Sequence, residues 1–248
     1  MKNNFYFKYN LSNIYKKPSE LSEVTSQIIY GERFKILSKN KDWIKIKMLF
    51  DDYVGYIKNS KYVKKFDPKY KVSDLKARIF KKPNIASNNY LPFGSKLSVM
   101  QENKNYIKIE KNKWIKKINI KKINHKERNF IKIFKKFLNI RYVWGGRTFK
   151  GIDCSALLQI FFNYNNLFYP RDTKDQIKCS KLNLKRKKFK KGDIIFWKGH
   201  VAICLNSKQL IHAYGPEKKV IIMPIKKTID RIYKTAHLEV KKIAKINY

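Results

Sequence analysis

Residues 142–159 read YVWGGRTFKGIDCSALLQ, and the fold of the C-terminal half turns on how this stretch is parsed. From Cys154 onward the apolar residues fall at Cys154, Leu157, Leu158, Phe161 and Phe162. That is the i, i+3, i+4, i+7, i+8 spacing of one buried helical stripe. Gly151-Ile152-Asp153 just before it forms a turn ending in a good N-cap residue. Cys154 is thereby expected in the first helical turn, where unpaired N–H groups and the macrodipole favour the nucleophilic thiolate. Asp153 acts in the opposite sense, because an adjacent negative charge raises a thiol pKa. The helix end is therefore not the only activator, and a histidine is to be sought elsewhere. A lone cysteine in an apolar stripe is ordinarily a packing residue. The rest of the chain must supply the chemistry.

Downstream, FYPRDTKDQ (168–176) reads as a loop with Pro170 and a second helix start at Asp172 or Thr173. KLNLKRKKFKKGD (181–193) reads as a basic, exposed connection. DIIFWKGHVAICLN (193–206), QLIHAYG (209–215) and KVIIMPI (219–225) read as strands. Helices followed by an antiparallel sheet make an α+β domain. His200 lies in the first strand-like run beside Ala202 and Cys204, on the face opposite Val201, Ile203 and Leu205. A hairpin centred on residues 206–207 would set it across from a position near 212 or 213, where His212 stands. Two imidazoles on neighbouring strands can act as base and orienter, one taking the thiol proton and the other fixing its tautomer. Cys154, His200 and His212 could also ligate zinc, but no CxxC or HxxxH pair accompanies them, and no metal or other cofactor is expected.

Upstream, residues 1–65 carry the strand-like runs FKILS (34–38), WIKIKMLF (43–50) and YVGYI (53–57), which suggest a small closed β-barrel. The next segment repeats the plan. IYKKPSE (14–20) is echoed by IFKKPNI (79–85), and YGERFKILSKNKDWIKI (30–46) by FGSKLSVMQENKNYIKI (93–109). The spacing marks a tandem duplication of one β module. Between the modules and Cys154, residues 121–140 switch to helical spacing, with Phe130, Ile133, Phe134, Phe137 and Leu138 on one face and lysines opposite. Such a basic amphipathic helix can touch a membrane, but more often covers a core. Domains are expected at 1–65, 66–122 and 123–248.

The formal charge is +40. It arises from 50 lysines against eight arginines, with the lysines running through nearly every segment. Arginine, the residue suited to bidentate phosphate and base contacts, is scarce. The excess therefore reads as a compositional bias rather than a nucleic-acid-binding stripe, although non-specific adhesion to anions at low salt is expected. Three widely spaced cysteines do not make a disulfide framework. No stretch approaches the length of a signal peptide's apolar core or a membrane span. A cytoplasmic protein with no membrane partner is the expectation.

YVWGGRTFKGIDCSALLQ, YPRDTKDQ, KGDIIFWKGHVAI and LIHAYG, in this order and spacing, resemble the motifs of the NlpC/P60 family of papain-like cysteine peptidases. The resemblance covers about residues 125–235. The upstream repeats resemble bacterial SH3 domains, and SEVTSQIIYGE (22–32) with DDYVGYI (51–57) is similar to the first SH3 module of a cytoplasmic subgroup. The resemblance implies a papain-like catalytic domain behind two SH3-like barrels. It implies a γ-D-glutamyl-L-diamino acid endopeptidase acting on peptidoglycan peptides in murein recycling.

Position by position, Cys154 matches the nucleophile, His200 the general base and His212 the orienting third residue. Tyr142 matches the tyrosine whose hydroxyl serves the oxyanion site. Asp153 and Ser155 match residues holding the L-Ala–γ-D-Glu portion, and Arg171, Asp172 and Thr173 a loop at the same subsite. Glu23 and Tyr53 match SH3 residues that narrow the site to a free N-terminal L-Ala, for whose ammonium an anionic pocket including Asp153 is expected. The sequence departs from the family at Ala156, where glycine is usual, and at Tyr214, where small or amide residues are common. An exported hydrolase of intact wall, or a polyanion-binding protein with an inactive domain, are the competing expectations.

Overall fold

Alternation in WIKIKM (43–48) puts Ile44, Ile46 and Met48 on one face, and that face is buried while its neighbours are not. The same period builds the N-terminal part of the molecule. The computed structural model describes residues 4–180, 183 and 188–246. It divides into two compact units, Met1–Lys126 and Glu127–Tyr248.

In the first unit, β1 (Asn4–Phe7), β2 (Leu11–Tyr15), β3 (Val24–Ile29), β4 (Arg33–Lys39), β5 (Trp43–Met48), β6 (Val54–Lys58) and β7 (Tyr62–Val63) form one sheet in the order β3-β2-β6-β5-β4-β1-β7. Its inner face converges on Phe7, Ile14, Ile28, Phe34, Ile44 and Ile57. The seven strands make the small β module that the sequence leads one to expect, wrapped on this one core. A second set follows: β8 (Tyr70–Val72), β9 (Lys76–Lys82), β10 (Ile85–Pro92), β11 (Lys96–Leu97), β12 (Gln101–Glu102), β13 (Tyr106–Glu110), β14 (Lys113–Lys116) and β15 (Ile120–Lys122). These strands make sheets of order β10-β9-β14-β13-β12 and β11-β8-β15.

The duplication is visible atom by atom. Gly31 and Gly94 both adopt the left-handed conformation, with φ of 79° and 82°. Gly31 N–H donates to the Phe7 carbonyl at 2.8 Å, and Gly94 N–H to the Val72 carbonyl at 3.0 Å. Asn40 Oδ1 accepts the amides of Asp42 and Trp43, as Asn103 Oδ1 accepts those of Asn105 and Tyr106.

The two modules are not separate bodies, as a boundary at residue 65 would have them. Tyr30 leaves the first module to pack among Val72, Leu91, Leu97 and Ile107 of the second. Its hydroxyl donates to Glu110 at 2.7 Å.

The second unit comprises α1 (Phe130–Lys136), β16 (Arg147–Thr148), β17 (Gly151–Ile152), α2 (Cys154–Tyr164), α3 (Thr173–Cys179), β18 (Asp193–Trp197), β19 (His200–Cys204), β20 (Gln209–Tyr214), β21 (Lys219–Pro224), α4 (Ile225–Ala236) and β22 (Lys242–Lys245). The antiparallel sheet runs β21-β20-β19-β18-β22, and α2 packs on β19 and β20. α2 begins where the spacing placed it. Its burial, however, is not a stripe: every residue except Asn163 is buried, including Ser155, Gln159 and Tyr164. The helix is central, with the sheet on one side and the Phe130 and Phe134 rings of α1 set against Phe161 on another.

Three expectations need correction. The helix read in 121–140 spans only Phe130–Lys136, because the first residues of that stretch end the β15 ladder. Its apolar face is covered by α2 rather than a membrane. The run 193–206 is two strands, folded at Lys198-Gly199 so that Trp197 pairs with His200. Helix α4, with buried Ile225, Thr228 and Ile232, was not read from the sequence at all. Of the basic connection read at 181–193, residues 181–182 and 184–187 lie outside the described residues.

Candidate active site

Asp153 caps α2 as its residue type suggests, its Oδ1 accepting the Ala156 amide at 2.8 Å. The same carboxylate accepts four further hydrogen bonds. Arg171 grips it bidentately, Nη1 to Oδ1 at 3.0 Å and Nη2 to Oδ2 at 2.5 Å. Gly145 N–H donates to Oδ2 at 3.0 Å, and the Ser155 hydroxyl to Oδ1 at 3.1 Å. Arg171 also donates to Ser155 Oγ at 2.8 Å. Both charged side chains are nearly inaccessible, at 1% and 6% exposure for Arg171 and Asp153. The pair is neutral overall and fully hydrogen-bonded, the condition under which buried charge is tolerated. Asp153 is thus a positioning residue locked to Arg171, not an open anion for a substrate ammonium. Gln176, which the sequence reading passed over, ties the same loop down by donating to the Ser155 and Pro170 carbonyls, each at 2.9 Å.

Cys154 is buried, and its thiol donates to the Gly199 carbonyl at 3.8 Å. It also meets the Val201 backbone and the Thr173 side chain. Gly199 and Val201 flank His200, so the thiol lies against the backbone that carries the second expected residue. Burial first, and then the charge of Asp153, push the Cys154 thiol up to about 12. These outweigh the Val201 backbone, Thr173 and Arg171, which act downward. The expectation of a thiolate favoured by the helix terminus therefore fails for the resting site: the thiol is neutral.

His200 is pushed the other way, to about 4, by burial. Its Nε2 lies 2.9 Å from His212 Nδ1, which joins the two imidazoles. The register, with Ile203 opposite Ile211 and Cys204 opposite Leu210, puts the hairpin centre at residue 207. His200 and His212 are thus diagonal rather than directly opposed neighbours. His212 is completely buried and held well below the usual imidazole range, mainly by burial. Its two ring nitrogens face His200 and the Met223 thioether, so neither is turned to a metal. Among the described residues no group of three potential ligands is placed to hold a metal ion.

Tyr142 is held by its amide, which donates to the Lys218 carbonyl at 2.8 Å, and by an isolated bridge to Ile152. Burial, with Cys154 and Asp153 nearby, raises its phenol well above the ordinary range. The phenol is therefore held in its neutral form, with the thiol among its electrostatic neighbours. At the start of α2 the Ala156 and Leu157 amides are taken by the Asp153 side chain and carbonyl. The Cys154 and Ser155 amides, in the first turn, have no i−4 carbonyl partner within the helix.

Asp172 is the N-cap residue of α3, with its carboxyl pushed up by burial, and Thr173 opens that helix beside the thiol. Ala156 is buried in α2 without disturbing the cap. Glu23 and Tyr53 both lie in the first unit. Glu23 pairs with Lys16 at 3.3 Å, and Tyr53 packs on the core of its own module.

A neutral thiol opening a central helix, a bonded imidazole pair on the sheet beside it and a phenol at the same point define a papain-like cysteine-peptidase domain. Residues 139–239 match the model of the NlpC/P60 family, and residues 14–61 that of the bacterial dipeptidyl-peptidase Sh3 domain; the chain thus joins an NlpC/P60 domain to a bacterial SH3 domain. A gamma-D-glutamyl-L-lysine dipeptidyl-peptidase from Bacillus subtilis (strain 168) is 32% identical over 101 residues, 38% of this chain and 34% of that protein. The chain thus spans about a third of that relative's length. Dipeptidyl-peptidase 6 from Lysinibacillus sphaericus is 23% identical over 240 residues, 82% of this chain and 84% of that one. A crystal structure of an NlpC/P60 family protein from Bacillus cereus ATCC 10987 shares the fold, with a TM-score of 0.76 at 18% identity, over 90% of this chain and 94% of the other.

Proposed function

We propose that this chain is a cysteine peptidase that hydrolyses the γ-D-glutamyl–L-diamino acid bond of peptidoglycan-derived peptides with a free N-terminal L-Ala. Attack begins when the Cys154 thiol turns from the Gly199 carbonyl to give its proton to His200 as it adds to the γ-carbonyl carbon. Tyr142 O–H and an amide at the start of α2 receive the developing oxyanion. His200 then returns the proton to the leaving amine, and water resolves the thioester with His200 as base. Because both partners rest in their neutral forms, the ion pair arises only in the reaction, where the oxyanion donors are already in place.

The observation that carries the reading is the combination of this Cys–His–His site with a first module matching the dipeptidyl-peptidase type of SH3 domain. The name of the B. subtilis relative, a gamma-D-glutamyl-L-lysine dipeptidyl-peptidase, supports a bond of this class, and the names of both it and the L. sphaericus relative support dipeptide release. A cytoplasmic, recycling role is part of the proposal, supported by three cysteines that are all free. Glu23 and Tyr53 are proposed to select the free N-terminus.

The test is hydrolysis of L-Ala-γ-D-Glu-meso-diaminopimelate with its N-acetylated form alongside. Cleavage of the free peptide alone is expected. Equal cleavage of both refutes the selection by Glu23 and Tyr53 and favours an enzyme of the intact wall.

A further inference from the structure

His212 has two ring nitrogens and, in its fully buried position, two partners of different character. Nδ1 faces His200 Nε2 at 2.9 Å, and Nε2 faces the Met223 sulfur at 3.3 Å. A neutral imidazole carries one N–H and one lone pair, so the two bonds are not independent. A thioether has no hydrogen to give and accepts only weakly. A bond between Nε2 and the sulfur therefore exists only if Nε2 carries the proton. His212 Nδ1 is then the lone pair, His200 Nε2 must be the donor, and His200 Nδ1 is left bare as the acceptor for the thiol. In the reverse arrangement the lone pair of Nε2 would face the sulfur lone pairs in a buried site. His200 would then hold its proton on the nitrogen needed for catalysis.

We propose that Met223 is a positioning residue that sets the tautomer of the whole His212–His200 pair through this one contact. The pairing of β20 with β21 supplies the geometry. His212 stands opposite Ile221 and Leu210 opposite Met223, so Met223 is the diagonal neighbour of His212 on the same face. Tyr214 completes the mount. Its ring stacks on His212 with centroids 4.6 Å apart and planes at 12°, and the Arg231 guanidinium lies over the Tyr214 ring at 5.5 Å. Arg231 is itself fixed to Glu217 at 2.6 Å. Burial first, then His200 and this cation, disfavour a second proton on His212 and keep it a neutral acceptor. When His200 becomes an imidazolium during turnover, its Nε2–H continues to donate to His212, so the orienting bond persists through the cycle.

The activity arm of the test rests on the peptidase reading above; the spectroscopic arm does not. In protein labelled with 15N at histidine, long-range 1H–15N correlations identify the protonated nitrogen of each ring. Signals are assigned against His125→Gln and His237→Gln variants. The native protein is expected to show His212 protonated at Nε2 and His200 at Nε2, with His200 Nδ1 bare. Met223→Leu keeps the volume and removes the acceptor. It is expected to admit the second tautomer, to slow alkylation of Cys154 by iodoacetamide (followed by peptide mapping), and to lower kcat about tenfold with KM unchanged. A native His212 protonated at Nδ1 overturns the proposal even if Met223→Leu does not fold. So does a folded Met223→Leu protein with native tautomers and native alkylation rate. Failure to cleave the peptide, with the expected tautomers present, refutes the substrate and leaves the positioning role standing.

Discussion

His200 and Cys154 are both driven toward neutrality by the same cause, burial, and this fixes the pH behaviour of the site. His200 falls from 6.5 to about 4 on folding. Between those values the unfolded chain takes the proton and the folded one does not, so this residue's contribution to stability is present above 6.5 and lost as pH falls through about 4. The acid limb of kcat/KM, which reports the free enzyme, should therefore lie well below 6.5, toward 4, in a pH–rate profile. A limb at or above 6.5 contradicts the burial argument.

Arg171 offers a second test at the same scale. Arg171→Leu strands the Asp153 carboxylate, which is 6% exposed, and should destabilise the protein by about 3–5 kcal/mol in denaturant titration. Cys154, His200 and His212 were legible because each sits in a local pattern of strand, helix or cap. The saturation of Asp153 was not, because its main partner lies 18 residues away. Nor was the role of Met223, which depends on cross-strand pairing between β20 and β21.

The elements around the thiol were legible where period and cap agreed, as at the start of α2. They were misread where tertiary packing overrides the pattern. α2 is buried all round because the sheet and α1 press on different sides, so burial extends beyond the apolar stripe to Ser155, Gln159 and Tyr164. The hairpin at Lys198-Gly199 is not legible in the sequence because apolar residues continue on both sides of the turn. Gly199 has φ +75° and nothing within 4 Å of where a Cβ would stand. Gly199→Ala therefore probes backbone strain without a clash, and should cost about 1–2 kcal/mol of stability. Because the thiol bonds to this carbonyl and His200 follows it, activity should fall more than stability alone explains. A variant with native unfolding and native kcat would show that the turn does not position the site.

Across the whole chain, the repeat announced two β modules correctly, but not their union in the unit Met1–Lys126. The repeat aligns Tyr30 with Phe93 and says nothing about which core each ring enters. In fact Tyr30, with no exposed surface, fills the second module's core from the first. Tyr30→Ala should cost about 3–5 kcal/mol and loosen both modules together, as read by hydrogen exchange over each sheet. Protection lost from the first module alone would contradict that coupling. The charge of +40, the loudest feature of the composition, plays no part in the site's own geometry. There the charges that matter are the buried pair Asp153 and Arg171, and the Arg231–Glu217 pair beside Tyr214.

The most direct test of the account is mass-spectrometric assay of L-Ala-γ-D-Glu-meso-diaminopimelate with the native protein and with Cys154→Ala. The account predicts release of L-Ala-γ-D-Glu and free diaminopimelate by the native protein, and neither product from the variant. An intact peptide with the folded native protein, or undiminished cleavage by Cys154→Ala, would contradict it.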